Sequence, residues 1–504
     1  MLAIGIDLGA TCARAAMLGP EGAPLLCPDH DDPRDLKTPS VVHIGADAAL
    51  VGRIVEELLD DTPSLPTIRE IKPDPGNTAP RFVDPAGRSW HADAVAALVM
   101  KKLARDARAF GNAPIATAVL TAPASAPPEH YRALKTSASL AGFGHHDVVA
   151  GPVAAAAYHR ATGGTGRRLI VVDVGGECID CALVEHGDEG FRVLAAGGAT
   201  GPGGLSVENA IMRRIADQFR AVHGVDLHRD PASVLHLRRA AEAIRTTLGG
   251  SQPPPLARRM LLIGRKVLSF GMTREQFAAL AEDTVQAVVQ VCERLLREPR
   301  DGDSGMPDAV LLTGGARGLP GLQARLSRIE GISAGIVERE HAIVFGAALL
   351  AGAALERHGG AVAHGGSRFD IGMRVWNSTL NAPDVSVLIP SGSPLPTRRT
   401  TTLYTRRVNQ ERIVLELVRR DPADGSSESL GSFAFGPLRN KTVGHPIEIH
   451  ITLDTDGVVK ATASDPKTRQ AISQFLADGG RGEGGDIDRL ARTRELIAHF
   501  PVNE

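Results

Sequence analysis

Two stretches of the chain share one pattern: LAIGIDLGATCARAAML at residues 2–18 and LIVVDVGGECIDCALV at residues 169–184. In each stretch an apolar run ends in an aspartate, a turn containing glycine follows, and a second apolar run returns. Short apolar runs bounded by turn residues are typical of buried strands. The recurrence of this strand–turn–strand unit predicts a duplicated architecture. A third relative, AVLLTGGARGLPGLQARL at 309–326, predicts a strand, a Gly-Gly turn and a helix.

Helical patterns separate these strands. Apolar residues recur at helical spacing in four segments, which are 89–110, 129–143, 207–223 and 273–298. The longest apolar stretch, AIVFGAALLAGAAL at 342–355, is shorter than the ~20 residues that span a bilayer. We therefore expect a buried Ala/Gly-rich helix there and no membrane partner. Strands that alternate with helices predict an α/β class with mixed sheets.

The pattern changes after residue 358. A glycine-rich linker is predicted at 359–370, and the helical periodicity ends there. Strand-like runs follow, and their apolar residues alternate with polar ones, as in IEIHI at 447–451. This alternation is typical of half-buried antiparallel strands. It predicts an antiparallel β-sandwich over 371–475, and a glycine-rich tail with one short helix is expected at 476–504.

The composition is that of a globular protein. The chain has 504 residues, of which 43% are hydrophobic and 23% charged, so a wholly disordered chain is excluded. The net charge is −2, from 56 Lys and Arg against 58 Asp and Glu, and aromatic residues make up 4%. Nucleic-acid binding would call for a clustered basic excess or aromatic stacking surfaces, so no nucleic-acid partner is expected.

The five cysteines do not suggest a disulfide framework, because their number is odd and their spacing irregular. Cys178 and Cys181 form a C-x-x-C, but no second pair or nearby histidine completes a zinc set, so small residues packed on a strand are the simpler interpretation. Free cysteines are typical of a reducing compartment, and a cytoplasmic location is expected. The first ten residues lack a basic region and lead directly into a strand pattern, which argues against a signal peptide.

The turns after the two aspartates have a chemical use. Glycines let backbone N–H groups approach phosphate oxygens, and the carboxylate before the turn can hold Mg²⁺ through water. A single Asp-x-Gly turn is most often only structural. Two matching turns, after Asp7 and Asp173, together with the Gly-Gly turn at 314–315, favour a site that clamps the phosphates of a nucleotide from opposite sides.

Taken in order, these motifs resemble those of the 70-kDa heat-shock chaperone family. The resemblance runs from Ile4 to about Ile472 and rests on the order and spacing of the motifs together. The first part of the chain contributes GIDLGAT (5–11), TPSVV (38–42), AVLTAPASAPPEHYRALKTSASLAGF (118–143), VVDVGGECID (171–180), GATGPGGLSVENAI (198–211), AEAIRTTLGG (241–250) and LLTGGARGLPGLQ (311–323). The last part contributes IPSGSPLPTRR (389–399), LGSFAF (430–435) and ITLDTDGVVKATASD (451–465).

The resemblance implies a fold and an activity. It implies a two-lobed, actin-like α/β nucleotide-binding domain over 1–358, followed by a β-sandwich that binds peptides. It implies an ATP-binding molecular chaperone with ATP or ADP and Mg²⁺ as cofactors. The implied partners are unfolded or extended apolar polypeptide segments, a J-domain co-chaperone and a nucleotide exchange factor.

The resemblance also implies roles for individual residues. Asp7 and Asp173 would hold Mg²⁺ through water, with Asp180 close behind. Lys72 would position the γ-phosphate and the attacking water, although a solvated surface lysine is the alternative interpretation. With Lys72, Asp7 and Asp173 form the predicted catalytic set. The predicted nucleotide-contacting residues are Gly9, Ala10, Thr11, Gly175, Gly176, Glu177, Cys178, Gly203, Gly204, Glu242, Arg245, Gly314, Gly315 and Arg317.

The sequence departs from the family pattern around the γ-phosphate. Gly151 stands where the family has a glutamate that helps to arrange the attacking water, and Ala10 stands where a hydroxyl is usual. Glu177 replaces a glycine and Cys178 replaces a threonine of the second loop. Phosphoryl transfer depends on positioning and electrostatics, and like charges repel in a poorly solvated site. Slow hydrolysis with retained binding is therefore expected, and compensation by neighbouring residues is the alternative.

The second domain departs from the family as well. The linker lacks the leucine-rich run that docks as a strand, so the family's coupling between nucleotide state and peptide affinity does not carry over from the resemblance. The family's helical lid is expected to be absent or reduced to one helix. The predicted peptide-binding residues are Trp376, Leu403, Ile413 and Leu415, for which an ordinary inward-facing core position is the alternative.

Two further functions compete with the chaperone. The first is a nucleotide-binding scaffold or regulatory pseudo-ATPase that binds a protein partner without a hydrolysis cycle, supported by Gly151, Glu177 and the altered linker. The second is a small-molecule kinase on the related two-lobed fold. The β domain argues against the kinase, and the sequence offers no evident base for a sugar hydroxyl.

Overall fold

The structure is a computed structural model that describes most of residues 1–503. The positions outside the description are 70, 73–78, 188–189, 298–305, 331, 333–334, 357–368, 378–381, 394–396, 423–424, 439–441, 454–458, 469, 477–492 and 504. The side chains of 375–377, 382–383, 433 and 473–476 also lie outside it. Most of the predicted linker and the glycine-rich part of the predicted tail therefore fall outside the described residues.

A first lobe is built on a six-stranded sheet in which β1 is central. Its elements are β1 (Leu2–Leu8), β2 (Cys12–Leu18), β3 (Pro24–Leu26), β4 (Thr38–Pro39), β5 (Val42–Ile44), β6 (Ala49–Val51), α1 (Arg53–Asp61), β7 (Phe82–Val83), β8 (Ser89–Trp90), α2 (Ala92–Gly111), β9 (Ile115–Ala122), α3 (Pro128–Leu140), β10 (His146–Ala150) and α4 (Gly151–Ala161). The strand order is β10-β9-β1-β2-β3, with β4 also paired to β2.

A second lobe is built on a five-stranded sheet in which β11 is central. The elements that follow α4 are β11 (Arg168–Val174), β12 (Cys178–Gly187), β13 (Gly190–Thr200), α5 (Gly204–His223), a 3-10 turn (Leu227–Arg229), α6 (Pro231–Leu248), β14 (Leu256–Ile263), β15 (Lys266–Thr273), α7 (Arg274–Arg297), β16 (Ala309–Thr313), α8 (Leu322–Leu326), β17 (Ile336–Glu338) and α9 (Ala342–Glu356). The strand order is β13-β12-β11-β16-β17, and β14 and β15 form a separate hairpin.

The predicted duplication is confirmed by the strand pairing. In the first sheet β1 is antiparallel to β2 and parallel to β9. In the second sheet β11 is antiparallel to β12 and parallel to β16. The apolar runs of β1 and β11 are buried almost throughout, as expected for strands that are covered on both faces. Asp7 and Asp173 thus occupy equivalent positions near the ends of two central strands.

Two helices join the lobes. The Ala/Gly-rich α9 is buried as predicted, and it packs against α4 and β1. A Cβ atom on Gly346 would lie 1.7 Å from the Ala154 carbonyl oxygen, so only glycine allows this close helix crossing. One apolar cluster places Ala342 and Ile343 of α9 beside buried residues of β11 and β12. The other four predicted helices are confirmed as α2, α3, α5 and α7.

The residues after α9 form a β domain with two antiparallel sheets. Its strands are β18 (Asp370–Asn377), β19 (Ala382–Ile389), β20 (Thr397–Tyr404), β21 (Ile413–Arg420), β22 (Ser427–Phe435), β23 (Pro446–Leu453), β24 (Val459–Ser464) and β25 (Ala471–Leu476). The sheet orders are β19-β18-β21-β22 and β20-β23-β24-β25. Along β23 every second residue is buried, which confirms the predicted alternation. Residues of both sheets share one apolar core.

A further short helix spans residues 493–499 and packs on the first lobe rather than on the β domain. Within the described part of the chain, no helix combines the length and the apolar character that crossing a membrane requires.

Candidate functional site

A cleft of about 1480 Å³ opens between the two lobes. The three glycine turns that the sequence singled out all line this cleft, and each follows an interior strand of its sheet, namely β1, β11 or β16. Nearly all of the predicted nucleotide residues line this cleft. They are Gly9, Ala10, Thr11, Gly175, Gly176, Glu177, Cys178, Glu242, Arg245, Gly314, Gly315 and Arg317.

The first turn is held by the strand segment that follows it. The Ser40 hydroxyl donates to the Gly9 carbonyl oxygen at 2.7 Å, and the Ser40 N–H donates to the Thr11 carbonyl oxygen at 2.9 Å. A Cβ atom on Gly9 would lie 2.4 Å from the Cys12 carbonyl oxygen, so the turn requires glycine there. The Asp7 carboxylate accepts a hydrogen bond of 3.0 Å from the Thr121 hydroxyl on the neighbouring strand β9. The aspartate is therefore fixed in orientation at the cleft floor.

The second turn repeats this geometry. The Gly175 N–H donates to the Cys178 carbonyl oxygen at 2.9 Å, as the return strand begins. Two predicted contact residues, Gly203 and Gly204, lie behind this turn and are not among the residues that line the cleft. The Gly204 N–H donates to the Gly175 carbonyl oxygen at 2.9 Å, so the start of α5 supports the turn from the rear.

The third turn abuts the second aspartate. Gly314 has a φ of +91°, and a Cβ atom on it would lie 2.3 Å from the Asp173 Oδ1 atom. Both the left-handed conformation and the close approach require glycine. The Ala316 N–H donates to the Val174 carbonyl oxygen at 2.9 Å, which joins the third turn to the second. The glycine turns of the second lobe thus converge on Asp173.

Negative charge accumulates at the cleft floor. Burial, together with the nearby carboxylates of Asp7 and Asp180, raises the pKa of Asp173 to about 8, although Lys72 and Arg14 act in the opposite direction. Carboxylates crowded in this way favour a cation beside them. The negative charge of these carboxylates would therefore attract a metal ion, and that ion could in turn bind phosphate.

Asp180 has a different environment from the other two aspartates. One of its oxygens accepts from the Ala124 N–H at 2.8 Å and the other from the Ser125 N–H at 3.0 Å. These backbone groups belong to the segment between β9 and α3. Asp180 therefore ties the second phosphate turn to the β9–α3 segment of the first lobe, and a metal would have to share its oxygens with these bonds.

Lys72 reaches the cleft from the first lobe. Its Nζ atom lies 3.9 Å from the Cys178 sulfur atom at the second turn. Burial raises the pKa of the Cys178 thiol, against the influence of Lys72, so this group is a neutral thiol at pH 7. Lys72 is half-buried and lines the cleft, and its ammonium lies beside the turn that the resemblance assigns to the γ-phosphate.

The two unusual residues of the predicted γ-phosphate end also face the cleft. Gly151 begins α4, and a Cβ atom on it would lie 3.6 Å from its nearest neighbours, the Ala122 carbonyl oxygen and the Ile343 side chain. That is ordinary van der Waals contact, so a Cβ atom fits at this helix N-terminus. Glu177 is exposed at the tip of the second turn and lines the same cleft.

The opposite end of the cleft is rich in charged side chains that are already paired. Arg245 pairs with Glu208 at 2.6 Å and donates to the Gly315 carbonyl oxygen at 3.0 Å. Arg317 donates to the Gly314 carbonyl oxygen at 3.2 Å. Both arginines therefore position the third turn. Glu242 lies 3.6 Å from Lys37 of the first lobe, so an ion pair bridges the cleft here.

Sequence reasoning missed three residues that shape this site. Ser40 and Thr121 hold the first turn and its aspartate, as described above. Arg14 lies directly opposite Asp7 in the β1–β2 pairing and lines the cleft. Its charge acts on Asp173 and on Glu340 and His341 across the cleft. The only signal for Arg14 was a charged residue inside an otherwise apolar strand.

The residues at the cleft floor fit magnesium held through water. In the described part of the chain, no three His, Cys, Asp or Glu side chains are close enough to coordinate a metal directly. Asp7 and Asp173 nevertheless stand at equivalent strand ends beside glycine turns. Burial and then the carboxylates of Asp7 and Asp180 raise the pKa of Asp173. Mg²⁺ dehydrates reluctantly and is commonly held by one or two carboxylates, waters and phosphate oxygens.

The predicted peptide-binding residues are in the β domain. Ile413 and Leu415 are buried in the core shared by the two sheets, and Leu403 is partly buried against that core. Trp376 belongs to β18, but its side chain lies outside the described residues.

One comparison with known proteins assigns the family. The model of the family described as Hsp70 protein matches residues 61–499. This span covers most of the chain and includes the second and third phosphate turns and the β domain. The chain therefore belongs to the 70-kDa heat-shock family, which is of the chaperone type and binds ATP through an actin-like, two-lobed domain.

Proposed function

We propose that this protein is an ATP-binding chaperone that holds exposed apolar peptide segments and hydrolyses ATP poorly. The observation that carries the proposal is the convergence of the second lobe's glycine turns on Asp173. Gly314 approaches the carboxylate so closely that a Cβ atom on it would lie 2.3 Å from the Asp173 Oδ1 atom. Such close backbone approach beside a carboxylate is useful for holding phosphates and their metal. Family membership supports ATP or ADP as the ligand.

The residues present would divide the nucleotide between them. Asp7 and Asp173 would hold Mg²⁺ through waters, and that ion would neutralise phosphate charge. Backbone N–H groups of the first and second turns would face the phosphates. Lys72 supplies a fixed positive charge next to Cys178 at 3.9 Å. Glu242, Arg245 and the third turn lie at the far end of the cleft, where the adenosine is proposed to bind.

The same geometry supports slow hydrolysis. An in-line attack needs a water held by an orienting group and positive charge to meet the developing negative charge. Gly151 supplies no side chain at the start of α4, and Ala10 supplies no hydroxyl in the first turn. Glu177 adds a negative charge to the cleft that receives the phosphates. Nucleotide binding depends on the glycine turns and is retained. The chemical step lacks the acid at position 151 and the hydroxyl at position 10, and Glu177 adds a repulsive charge.

The β domain is proposed to bind the peptide. Its two antiparallel sheets share one apolar core, which supports the proposal of a β-sandwich over 371–475. Sheet edges bind extended segments through backbone hydrogen bonds. The nucleotide-binding domain is proposed to span 1–358 and the linker 359–370. A J-domain co-chaperone, a nucleotide exchange factor and a cytoplasmic location remain part of this proposal through the family resemblance.

Titration with ATP and ADP followed by a single-turnover assay tests this function. We expect both nucleotides to bind and ATP to be cleaved more slowly than is usual for the family. Stabilisation of the fold by either nucleotide in a thermal melt gives an independent readout of binding. Absence of binding at millimolar nucleotide would contradict the proposal.

The second candidate is a nucleotide-binding scaffold without a hydrolysis cycle. It is favoured specifically by Gly151 and Glu177, which together remove an acid and place another in the wrong position. The two candidates differ in one result: the scaffold binds ATP and leaves it intact in the single-turnover assay, whereas the chaperone cleaves it slowly.

A further inference from the structure

The segment 493–503 is part of the first lobe's core although it follows the β domain in the chain. Ile497 is fully buried, and Phe500 and Val502 are 4% and 3% exposed. All three belong to the apolar cluster that holds β5, β6 and α2. The Phe500 ring lies 4.9 Å from the buried ring of Trp90. Burial of three such side chains is comparable with a core contact rather than with a surface contact.

The backbone of this segment extends a sheet of the first lobe. Val502 forms a parallel bridge with Ala49, at the free edge of the two-stranded β5–β6 sheet. The Ala49 N–H donates to the Pro501 carbonyl oxygen at 3.0 Å, and the Asn503 N–H donates to the Ala49 carbonyl oxygen at 3.0 Å. The segment is therefore bound by strand addition, the mode in which sheet edges take up extended peptides.

Asn503 completes the strand addition with its side chain. Its Oδ1 atom accepts from the Val51 N–H at 2.7 Å, and its Nδ2 atom donates to the Val51 carbonyl oxygen at 3.0 Å. The amide thus satisfies both backbone groups of one residue, as a paired strand would. The Asn503 carbonyl oxygen in turn accepts from Arg105 of α2 at 2.8 Å.

A lysine of α2 holds the end of the 493–499 helix. The Lys101 Nζ atom donates to the carbonyl oxygens of Ile497 at 3.0 Å and of Phe500 at 2.7 Å. A cation at this position satisfies carbonyl groups that have no partner within the helix and complements the helix dipole. The site thus combines an apolar pocket, a sheet edge and a cation, each matched to a different part of the segment.

We propose that this groove of the first lobe, formed by β6, Trp90 and α2, is a peptide-binding site whose ligand is the segment 493–503 of the same chain. The bound segment acts as a clasp. Along the chain, the β domain follows α9 and precedes the clasp. Helix α9 is packed between the lobes, and the clasp is packed on the first lobe. Both ends of the β domain are thereby anchored, and its distance from the first lobe is limited.

Contacts on α3 agree with a β domain held close to the first lobe. Arg419 of β21 pairs with Glu129 of α3 at 2.9 Å and also with Glu428 of its own sheet. Arg494, in the clasp, donates to the Ser139 hydroxyl at 2.5 Å on the same helix. One helix of the first lobe therefore contacts both the β domain and the clasp.

Cleavage between the β domain and the clasp tests the proposal on the full chain. A specific protease site is inserted between Gly484 and Gly485, and the cut protein is passed over a sizing column without denaturant. The clasp fragment is expected to stay with the remainder of the protein. Ile497→Asp should release it, because a carboxylate would enter the apolar pocket, whereas the matched Ala498→Asp at an exposed neighbour should retain it.

A labelled peptide of residues 489–503 gives a second readout on uncut protein. It should bind the Ile497→Asp protein, whose groove is vacated, and not the unmodified protein. Release of the unmodified fragment after cleavage, or equal peptide binding to both proteins, would overturn the proposal. A dimer that becomes monomeric on cleavage would overturn the assignment within one chain. If Ile497→Asp does not fold, the cut unmodified protein still decides.

Discussion

The Lys72 ammonium nitrogen lies 3.9 Å from the sulfur atom of Cys178, across the boundary between the two lobes. This distance brings a cation of the first lobe to the second phosphate turn. A neutral thiol offers a weaker and larger partner than the hydroxyl that the family places there. The contact therefore keeps the positive charge that a nucleotide needs while changing the group beside the predicted γ-phosphate.

Restoring the family pattern should speed up hydrolysis. Gly151→Glu with Glu177→Gly returns an orienting acid and removes a repulsive charge, and a Cβ atom at position 151 makes only ordinary van der Waals contacts. A well-placed catalytic group is commonly worth about 10²–10³ in rate, so we expect a gain of at least about tenfold in single-turnover hydrolysis.

The control for this pair is Gly151→Gln with Glu177→Gly, which fills the same space without the carboxylate. It should fold and bind ATP but gain little rate. A double replacement that binds ATP and is no faster than the unmodified protein would refute the explanation for slow hydrolysis.

Arg14 should contribute to nucleotide affinity. Arg14 is the partner of Asp7 in the β1–β2 register, and its charge acts on Asp173, so it offsets negative charge that would otherwise repel the phosphates. We expect Arg14→Ala to weaken ATP binding by about tenfold, or ~1.4 kcal/mol, in a calorimetric titration. Arg213→Ala, at an exposed position of α5, should leave the affinity unchanged. If the unmodified protein and both variants bind ATP with equal affinity, Arg14 does not contribute to nucleotide binding.

Bound peptides should exchange quickly. Residues 493–503, which follow the β domain in the chain, are seated on the first lobe, so we propose that these residues do not cover a peptide on the β domain. Differences between related complexes are mostly differences in off-rate. We expect an apolar extended peptide to dissociate within seconds in a stopped-flow displacement experiment. Dissociation that takes hours would contradict this expectation.

The β domain should lose stability in acid through Asp465. Burial acts to raise the pKa of Asp465, but hydrogen bonds from His445 at 2.8 Å and from the Lys467 and Thr468 N–H groups outweigh it and lower the pKa to about 2. The pKa is about 3.9 in an unfolded chain, so the stabilisation is complete above about pH 5 and is lost as the pH falls toward 2.

This group should contribute about 2–3 kcal/mol to the free energy of unfolding near pH 6. Asp465→Asn should therefore be less stable than the unmodified protein by about that amount at pH 6, and the gap should narrow toward pH 3 in chemical denaturation. Glu411→Gln, at an exposed carboxylate of the same domain, is the control. A gap that stays constant with pH would show that the carboxylate charge of Asp465 is not responsible.

The sequence alone was informative where function depends on local pattern. The Asp-x-Gly turns and the helical periodicities predicted the strands, four helices and most of the cleft. Arg14 and Thr121 escaped notice because their proximity to Asp7 depends on strand register across β1, β2 and β9. The clasp escaped for a related reason: Ile497, Phe500 and Val502 look like one short amphipathic segment until the β5–β6 edge is known to lie beside them.

Gly203 and Gly204 show the opposite limit. A glycine-rich motif predicts close backbone approach but does not say to what. Here the approach is to the Gly175–Gly176 turn, where a Cβ atom on Gly203 would lie 2.4 Å from the Gly176 carbonyl oxygen. These glycines shape the phosphate turn from behind, and their contact with nucleotide stays a prediction.

Calorimetric titration of the unmodified protein with ATP, with and without Mg²⁺, tests the central claim most directly. The account predicts binding that is stronger with Mg²⁺ and that falls by about tenfold or more in Asp173→Ala, while Asp61→Ala, at an exposed carboxylate outside the cleft, binds as the unmodified protein does. No heat at millimolar ATP, or the same magnesium-dependent affinity in Asp173→Ala, would contradict it.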